Sequence, residues 1–329
     1  MIQDTTDPVS SEGTPVLVAV GEGLLEVGVR DDLPSDYLGR GFGGDVANVA
    51  VMAARMGTRA RLLTRLGADT PGRLLLDFWR RAHLDVDRVT VDSSAPTGMY
   101  VNAVRHGGHS FGYYRSGSAA TRLSPADVDR GLLDDAGALH VSGISLAISS
   151  SAALAAERAA ELARDRGVTV TFCVNHRLML RPDTERNLAF ARAADIVILS
   201  SEDALAMLDT DHPDRIRSAL GEGPQEIVLT DGAAGAVVLT GGEIHRVVAP
   251  QVVVVDTAGA GDALAGAYLA GRLAGTAPPD ALELAVIAGA LSCRWPGCAR
   301  SYPSAEEVVR VRAGASPDVE QQLSSSESA

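Results

Sequence analysis

Three stretches of this 329-residue chain carry residue types at spacings suited to handling a charged group. The first is Asp256-Thr257-Ala258-Gly259-Ala260-Gly261-Asp262, small residues and glycines closing on an acid. A loop of this kind between a strand and a helix gathers free backbone N–H groups and the positive end of the helix dipole, and its glycines admit an anion to close range. Asp262 is placed either to cap the helix amides or to take a proton from a hydroxyl held beside that anion. The loop alone leaves both readings open. The second stretch is GRGFGGDVANVAVMAARMG, Gly39 to Gly57. There Asn48 sets an amide near the start of a small, apolar helix, either as a tolerated surface residue or to reach a substrate hydroxyl. The third is Asn175-His176-Arg177, behind the apolar run Val168 to Val174. The C-terminal end of such a strand is where ligands bind in open α/β sheets.

The elements that must position these groups follow from periodicity. Val252 to Val255 reads as a strand buried on both faces. The helix behind it is expected to open at Asp262, with Leu264, Ala267, Tyr268, Leu269 and Ala270 at helical spacing. Gly41, Gly43 and Gly44 are expected to form a flexible turn and Asp45 to cap the next helix. The stripe of that helix is Val46, Val49, Ala50, Ala53 and Met56, and Gly57 closes it. Pro15 to Val20 gives a first buried strand, Arg61 to Leu66 another, and Arg73 to Ala82 a helix. Thr97 to Ser116 alternates and carries aromatics, which predicts a hairpin about Gly107-Gly108. Together with Leu24 to Val29 it forms a small sheet, a lid over about 24–40 and 97–118 bearing Tyr100, Tyr113, Tyr114 and Arg115. Beyond Pro125, strands at 139–141, 168–174, 196–199 and 226–230 alternate with helices at 151–166, 184–193 and 200–208. A hairpin strand at 236–239 and a last apolar helix at 281–293 follow. The expected fold is α/β, a mainly parallel central sheet with helices on both faces and a small β-sheet lid, as one domain over 15–312. The polar ends, 1–14 and 313–329, are expected to be disordered.

Composition excludes several functions. The net charge is −13, with acids spread along the chain, which argues against nucleic acid or an anionic membrane as partner. No apolar run approaches the roughly 18 residues of a membrane span, and no signal pattern opens the chain, so a cytoplasmic location is expected. Cys173, Cys293 and Cys298 have no second pair to make a zinc site and are expected to be reduced and structural. The seven histidines form no metal-spaced cluster. Lysine is absent altogether. That removes a P-loop lysine, a Schiff base and a pyridoxal anchor, so any nucleotide must be handled by amides, arginines and metal. A dinucleotide-binding reading of the glycine loop fails, since the loop lies late in the chain without an acid at the ribose spacing.

The two glycine signatures, GGDVANVAVMAARMG and DTAGAGDALAGAYLAG, resemble those of the PfkB/ribokinase carbohydrate kinases, and the order of elements fits from about Pro15 to Ser304. The resemblance implies a ribokinase-like fold and transfer of phosphate from ATP, with Mg²⁺, to a hydroxymethyl group of a sugar or nucleoside. Carried over, Asp262 stands as general base, and the amides of Gly259, Ala260 and Gly261 as an anion hole. Asp256 and Thr257 fall near a monovalent-cation (K⁺) site, and Ser200, Thr230, Gly232 and Gly235 at the nucleotide site. The family's Asn-x-x-Glu element has its nearest match in Ser200-Ser201-Glu202-Asp203, a departure that leaves Asp203 to reach metal through water. Phe111 to Pro125 is similar to the 2-keto-3-deoxygluconate kinase branch. That likeness implies Tyr100, Tyr113, Arg115 and Arg177 on the sugar acid and Gly44 and Asn48 on its hydroxyls, with Glu26 where many relatives have Asp. An acidic protein binding a carboxylate needs local arginines, which agrees. The implied partners are a sugar acid, ATP and a second copy of the chain paired through lid strands. Fructokinase, ribokinase or 5-dehydro-2-deoxygluconokinase activity, or a sugar sensor without catalysis, are the alternatives.

Overall fold

The computed structural model describes residues 15–30, 38–105 and 108–317. The termini expected to be disordered lie outside them, apart from 313–317, as does the hairpin tip at Gly107. In chain order the first elements are β1 (Val16–Val20), β2 (Leu24–Arg30), β3 (Gly39–Gly43) and α1 (Asp45–Arg55). They are followed by β4 (Ala60–Gly67), α2 (Thr70–Arg81), β5 (Val89–Asp92), β6 (Met99–Arg105) and β7 (Gly108–Tyr114). The middle of the chain gives β8 (Ala136–Ser142), α3 (Gly143–Ala147), α4 (Ser150–Asp165), β9 (Thr169–Cys173), α5 (Thr184–Ala193) and β10 (Ile196–Ser200). Next come α6 (Ser201–Leu208), α7 (Pro213–Leu220), β11 (Glu226–Thr230), β12 (Ala236–Thr240) and β13 (Glu243–Val247). The chain closes with α8 (Ala260–Leu273), α9 (Pro278–Ser292) and α10 (Ala305–Arg312).

Nine strands form the central sheet in the order β13-β12-β11-β10-β9-β8-β1-β4-β5. All pairings from β11 to β5 are parallel; β12 and β13 fold back antiparallel at one edge. Both faces are covered, by α1, α8 and α9 on one side and by the alanine face of α4 with α5 on the other. The interior strands accordingly read as unbroken apolar runs: every residue of β1 is at most 1% exposed. The parallel register brings the C-terminal ends of β1, β8, β9, β10 and β11 to one edge, which is where the site must form.

A second sheet, β3-β2-β6-β7, is the expected lid. The glycine turn expected at 39–44 is instead a lid strand, β3, paired antiparallel with β2. Its glycines make room. A Cβ at Gly41 would lie 2.4 Å from the Glu26 carboxylate, and one at Gly43 would lie 2.6 Å from the Tyr100 ring. The lid is rooted through Asp69, which caps α2 by accepting from Gly72 N at 2.9 Å and also accepts from Thr97 N at 2.8 Å. Such a cap contributes about 1 kcal/mol.

The other correction concerns Val252 to Val255. They form no strand; Val253 and Val254 are 74% and 60% exposed. The antiparallel return of β12 and β13 already closes that edge of the sheet. The valines therefore cross from β13 to α8 over its end, and Val255 N instead bonds Cys293 O at 2.8 Å. The helix they lead to begins two residues earlier than expected, at Ala260, capped by Gly259 in the left-handed region at φ 78°. Its partner is α1. A Cβ at Gly266 would lie 2.5 Å from the Val49 carbonyl oxygen and 2.6 Å from Met52 Cβ, so the two helices meet backbone to backbone.

Candidate active site

That close crossing sets the first contact of the site. Asn48, in the first turn of α1, donates from Nδ2 to Asp262 Oδ2 at 2.8 Å. Asp262 is therefore not a helix cap. It occupies the third helical position of α8, half-buried, on the wall of a cavity of about 850 Å³. Burial, and next the charge of Asp45, push its pKa up from the usual carboxylate value to about 7. Hydrogen bonds from Asn48 and Asn175 and the charge of Arg177 oppose that rise.

Asp45 was expected to cap α1, but Gly44 does so, at φ 98°. A side chain at Gly44 would strike the Glu22 carbonyl, 2.3 Å from its Cβ. The Asp45 carboxylate is thus released to accept from Asn175 Nδ2 at 3.0 Å. Asn175 follows β9 with φ 38°, a left-handed conformation that turns its amide back toward α1 and α8. Arg177 is exposed and donates to Asn175 Oδ1 at 3.3 Å. The sequence placed Asn175 at the strand end where ligands bind, but the bond joining it to Asp45, which was read only as a helix cap, was not foreseen. An acid and an amide at two element ends were the only signal.

The cavity also gathers Ser200, Asp203, Thr230, Gly232, Gly235, Thr257, Ala260, Gly261 and Arg177. Residues from β9, β10, β11 and the start of α8 thus converge on one hollow. Within the turn itself, Ala260 N–H is taken by Thr257 O at 3.2 Å. The first-turn amides of Gly261 and Asp262 meet no backbone carbonyl among the described residues. Asp203 accepts from His176 N at 2.9 Å and Ser200 N at 3.2 Å, so its carboxylate braces β9 against α6. Glu202 beside it is exposed on the cavity wall. Among the described residues no three His, Cys, Asp or Glu side chains gather as a metal cage. Mg²⁺ usually keeps waters and binds through one or two carboxylates plus substrate phosphates, a demand this wall can meet.

The lid residues are arranged differently. Arg115 is buried and ion-paired with Glu22, which burial raises to about pKa 7 against the opposing pull of Arg115. Its guanidinium also lies over the Tyr113 ring, 4.1 Å from the centroid. Tyr113 is 38% exposed and feels the charge of Arg177, so lid and sheet edge approach each other there. Tyr100 is buried and donates to Glu26 Oε2 at 2.9 Å. Asn102 links lid to loop: its Nδ2 lies 3.1 Å from Glu26 Oε1 and 3.2 Å from Asp256 Oδ2. Asp256 is buried outside the cavity and accepts from Ala258 N at 2.8 Å and Gly297 N at 3.0 Å. It holds the turn before α8 from behind.

Comparison with known proteins agrees with this geometry. The fold is ribokinase-like. It superposes on a crystal structure of fructokinase with bound ATP from Xylella fastidiosa with TM-score 0.83 and 25% identity, over 91% of this chain and 98% of that one. On 2-dehydro-3-deoxygluconokinase from Thermotoga maritima the TM-score is 0.81 at 25% identity, over 91% and 100%. The family description "pfkB family carbohydrate kinase" matches residues 28–305, and the chain belongs to that family. It is a carbohydrate kinase, 37% identical to 2-dehydro-3-deoxygluconokinase of Thermoproteus tenax over 88% of this chain and 92% of that protein. No helix among the described residues is long and apolar enough to cross a membrane.

Proposed function

We propose that this kinase transfers the terminal phosphate of ATP to the 6-hydroxyl of 2-dehydro-3-deoxy-D-gluconate, with Asp262 as general base. The observation that carries the reading is that Asp262, with its pKa near 7, shares one cavity with Arg177 and the Thr230–Gly235 loop. A base works best when its pKa lies near the working pH, and Asp262 meets that condition. Asn48 orients the carboxylate, and Asp262 takes the proton as the hydroxyl oxygen attacks. The amides of Gly259, Gly261 and Asp262, with that of Ala260 once it leaves Thr257 O, steady the charge on the transferring group. Amide dipoles fixed at such a point typically contribute about 3–4 kcal/mol each to the transition state.

The sugar acid would be held by Arg177 and Tyr113 from opposite walls, Arg115 and Tyr100 framing the lid, and Gly44 and Asn48 on its hydroxyls. Mg²⁺, when bound, would neutralise phosphate charge; Glu202, and Asp203 through water, are the carboxylates on that wall. A monovalent cation near Asp256 and Thr257 and a dimer formed through the outer lid strands, β3 and β7, complete the proposal.

The deciding experiment is a coupled ADP-release assay on 2-dehydro-3-deoxygluconate, fructose, ribose and 5-dehydro-2-deoxygluconate, with and without Mg²⁺ and K⁺. We expect kcat/KM for the first to exceed the others at least tenfold. A preference for fructose would reassign the substrate within the family, and absence of turnover on every sugar would leave only a sensor.

A further inference from the structure

A second hollow, of about 420 Å³, opens behind the catalytic cavity and is lined by Arg55 at the end of α1, Arg294, Trp295, Arg300, Ser304 and Glu307. Three guanidiniums face a single carboxylate there, in a chain whose net charge is −13. Arg294 is spent on the fold: it donates to Leu291 O at 3.1 Å and Pro317 O at 2.6 Å and pairs with Glu307. The other two are not spent. Among the described residues Arg55 donates to Tyr302 O and Arg300 to Arg40 O, one protein acceptor each, although a guanidinium carries five N–H donors. Arg55 is also partly desolvated; burial lowers its pKa, against the raising influence of Tyr302 and Glu307. A cation drawn out of water with most of its donors unused is costly unless something neutralises it.

We propose that this hollow is a binding site for a phosphate-bearing anion, held by Arg55 and Arg300 with Trp295 beside it. The forked donors of two arginines match the oxygens of a phosphate group, and the net charge of the four ionised side chains, three arginines and one glutamate, suits a dianion. The site lies outside the catalytic cavity and shares no lining residue with it. It is nevertheless joined to it. Tyr302, whose carbonyl receives Arg55, donates its hydroxyl to Gly259 O at 3.0 Å, at the cap of α8.

The test uses inorganic phosphate as the probe and tryptophan fluorescence as the readout. Trp295 is half-buried in the hollow, and the second tryptophan, Trp79, is buried in the core. Phosphate titrated into the intact protein at constant ionic strength should give a saturable change in emission. Arg300→Gln, at an exposed position, should weaken it at least tenfold, as should Arg55→Gln, while Arg177→Ala in the catalytic cavity should retain it. The proposal is overturned by a change that chloride reproduces, by an unaltered affinity in Arg300→Gln, or by loss of the signal in Arg177→Ala with retention in Arg300→Gln.

Discussion

Asn48 Nδ2 sits 2.8 Å from Asp262 Oδ2, although 214 positions separate the two residues in sequence. The amide stabilises the ionised carboxylate, so it counteracts burial and the Asp45 charge, which together lift the Asp262 pKa to about 7. The acid limb of the kcat/KM–pH profile should therefore fall away below about pH 7. Asn48→Leu, which removes the donor, should move that limb upward by about one pH unit. An unmoved limb would separate Asn48 from the base.

Replacing the carboxylate itself should separate chemistry from stability. Asp262→Asn should lose about 10²–10⁴ in kcat while remaining folded. The sign of its stability effect follows from the raised pKa. The folded wild type holds a proton that the unfolded chain has released, so the contribution of Asp262 is full below about pH 4 and is lost as pH rises through about 7. Asparagine does not titrate. The variant should gain on wild type by about 2–3 kcal/mol between pH 5 and pH 8, read by urea unfolding at the two values. An equal difference at both would deny the raised pKa.

The two candidate carboxylate-binding arginines call for different experiments. Arg115 is buried against Glu22, and removing it should destabilise the fold by about 3–5 kcal/mol, because Glu22 is left without its partner. Among the described residues Arg177 is exposed and bonds only Asn175, at 3.3 Å, so Arg177→Ala should fold normally. It should raise KM for the keto acid at least tenfold and for fructose much less. Equal changes for acidic and neutral sugars would remove Arg177 from carboxylate recognition.

Asn102 offers a test of communication between the lid and the turn before α8. Its one amide nitrogen reaches Glu26 on the lid and Asp256 behind the turn. Asn102→Leu leaves two buried carboxylates facing each other without a shared donor. It should lower kcat and raise the sugar KM together, whereas a purely local defect would lower the melting temperature and leave both constants within about twofold.

The chain's own pattern gave most of this architecture, for identifiable reasons. Strands β1 and β10 are buried on both faces and announce themselves as apolar runs, β9 and β11 do so with threonines or a glutamate among the apolar residues, and the α1 stripe closes on Gly57 as helical spacing requires. The same rule misled at Val252 to Val255, since four valines in a row look identical whether they enter a sheet or cross its end in the open. At Gly39 to Gly43 the glycines suggested a turn, because the bulk they accommodate, Glu26 and Tyr100, comes from neighbouring strands and leaves no local trace. That Asp262 and its small-residue loop lie at the start of a helix was legible from spacing. The contact between Asp45 and Asn175 was not, since it depends on which side chains the fold brings opposite each other.

The absence of any side chain at Gly266 has a practical corollary. The crossing it permits is also what holds the Asn48 amide against the Asp262 carboxylate, so the packing of the two helices and the geometry of the cavity wall are tied at one point. An engineer who fills that notch to raise heat resistance would act as a wedge between two rods, widening the gap at their far tips. Improvement of this protein for hot reactors belongs at its rim, well away from the fulcrum.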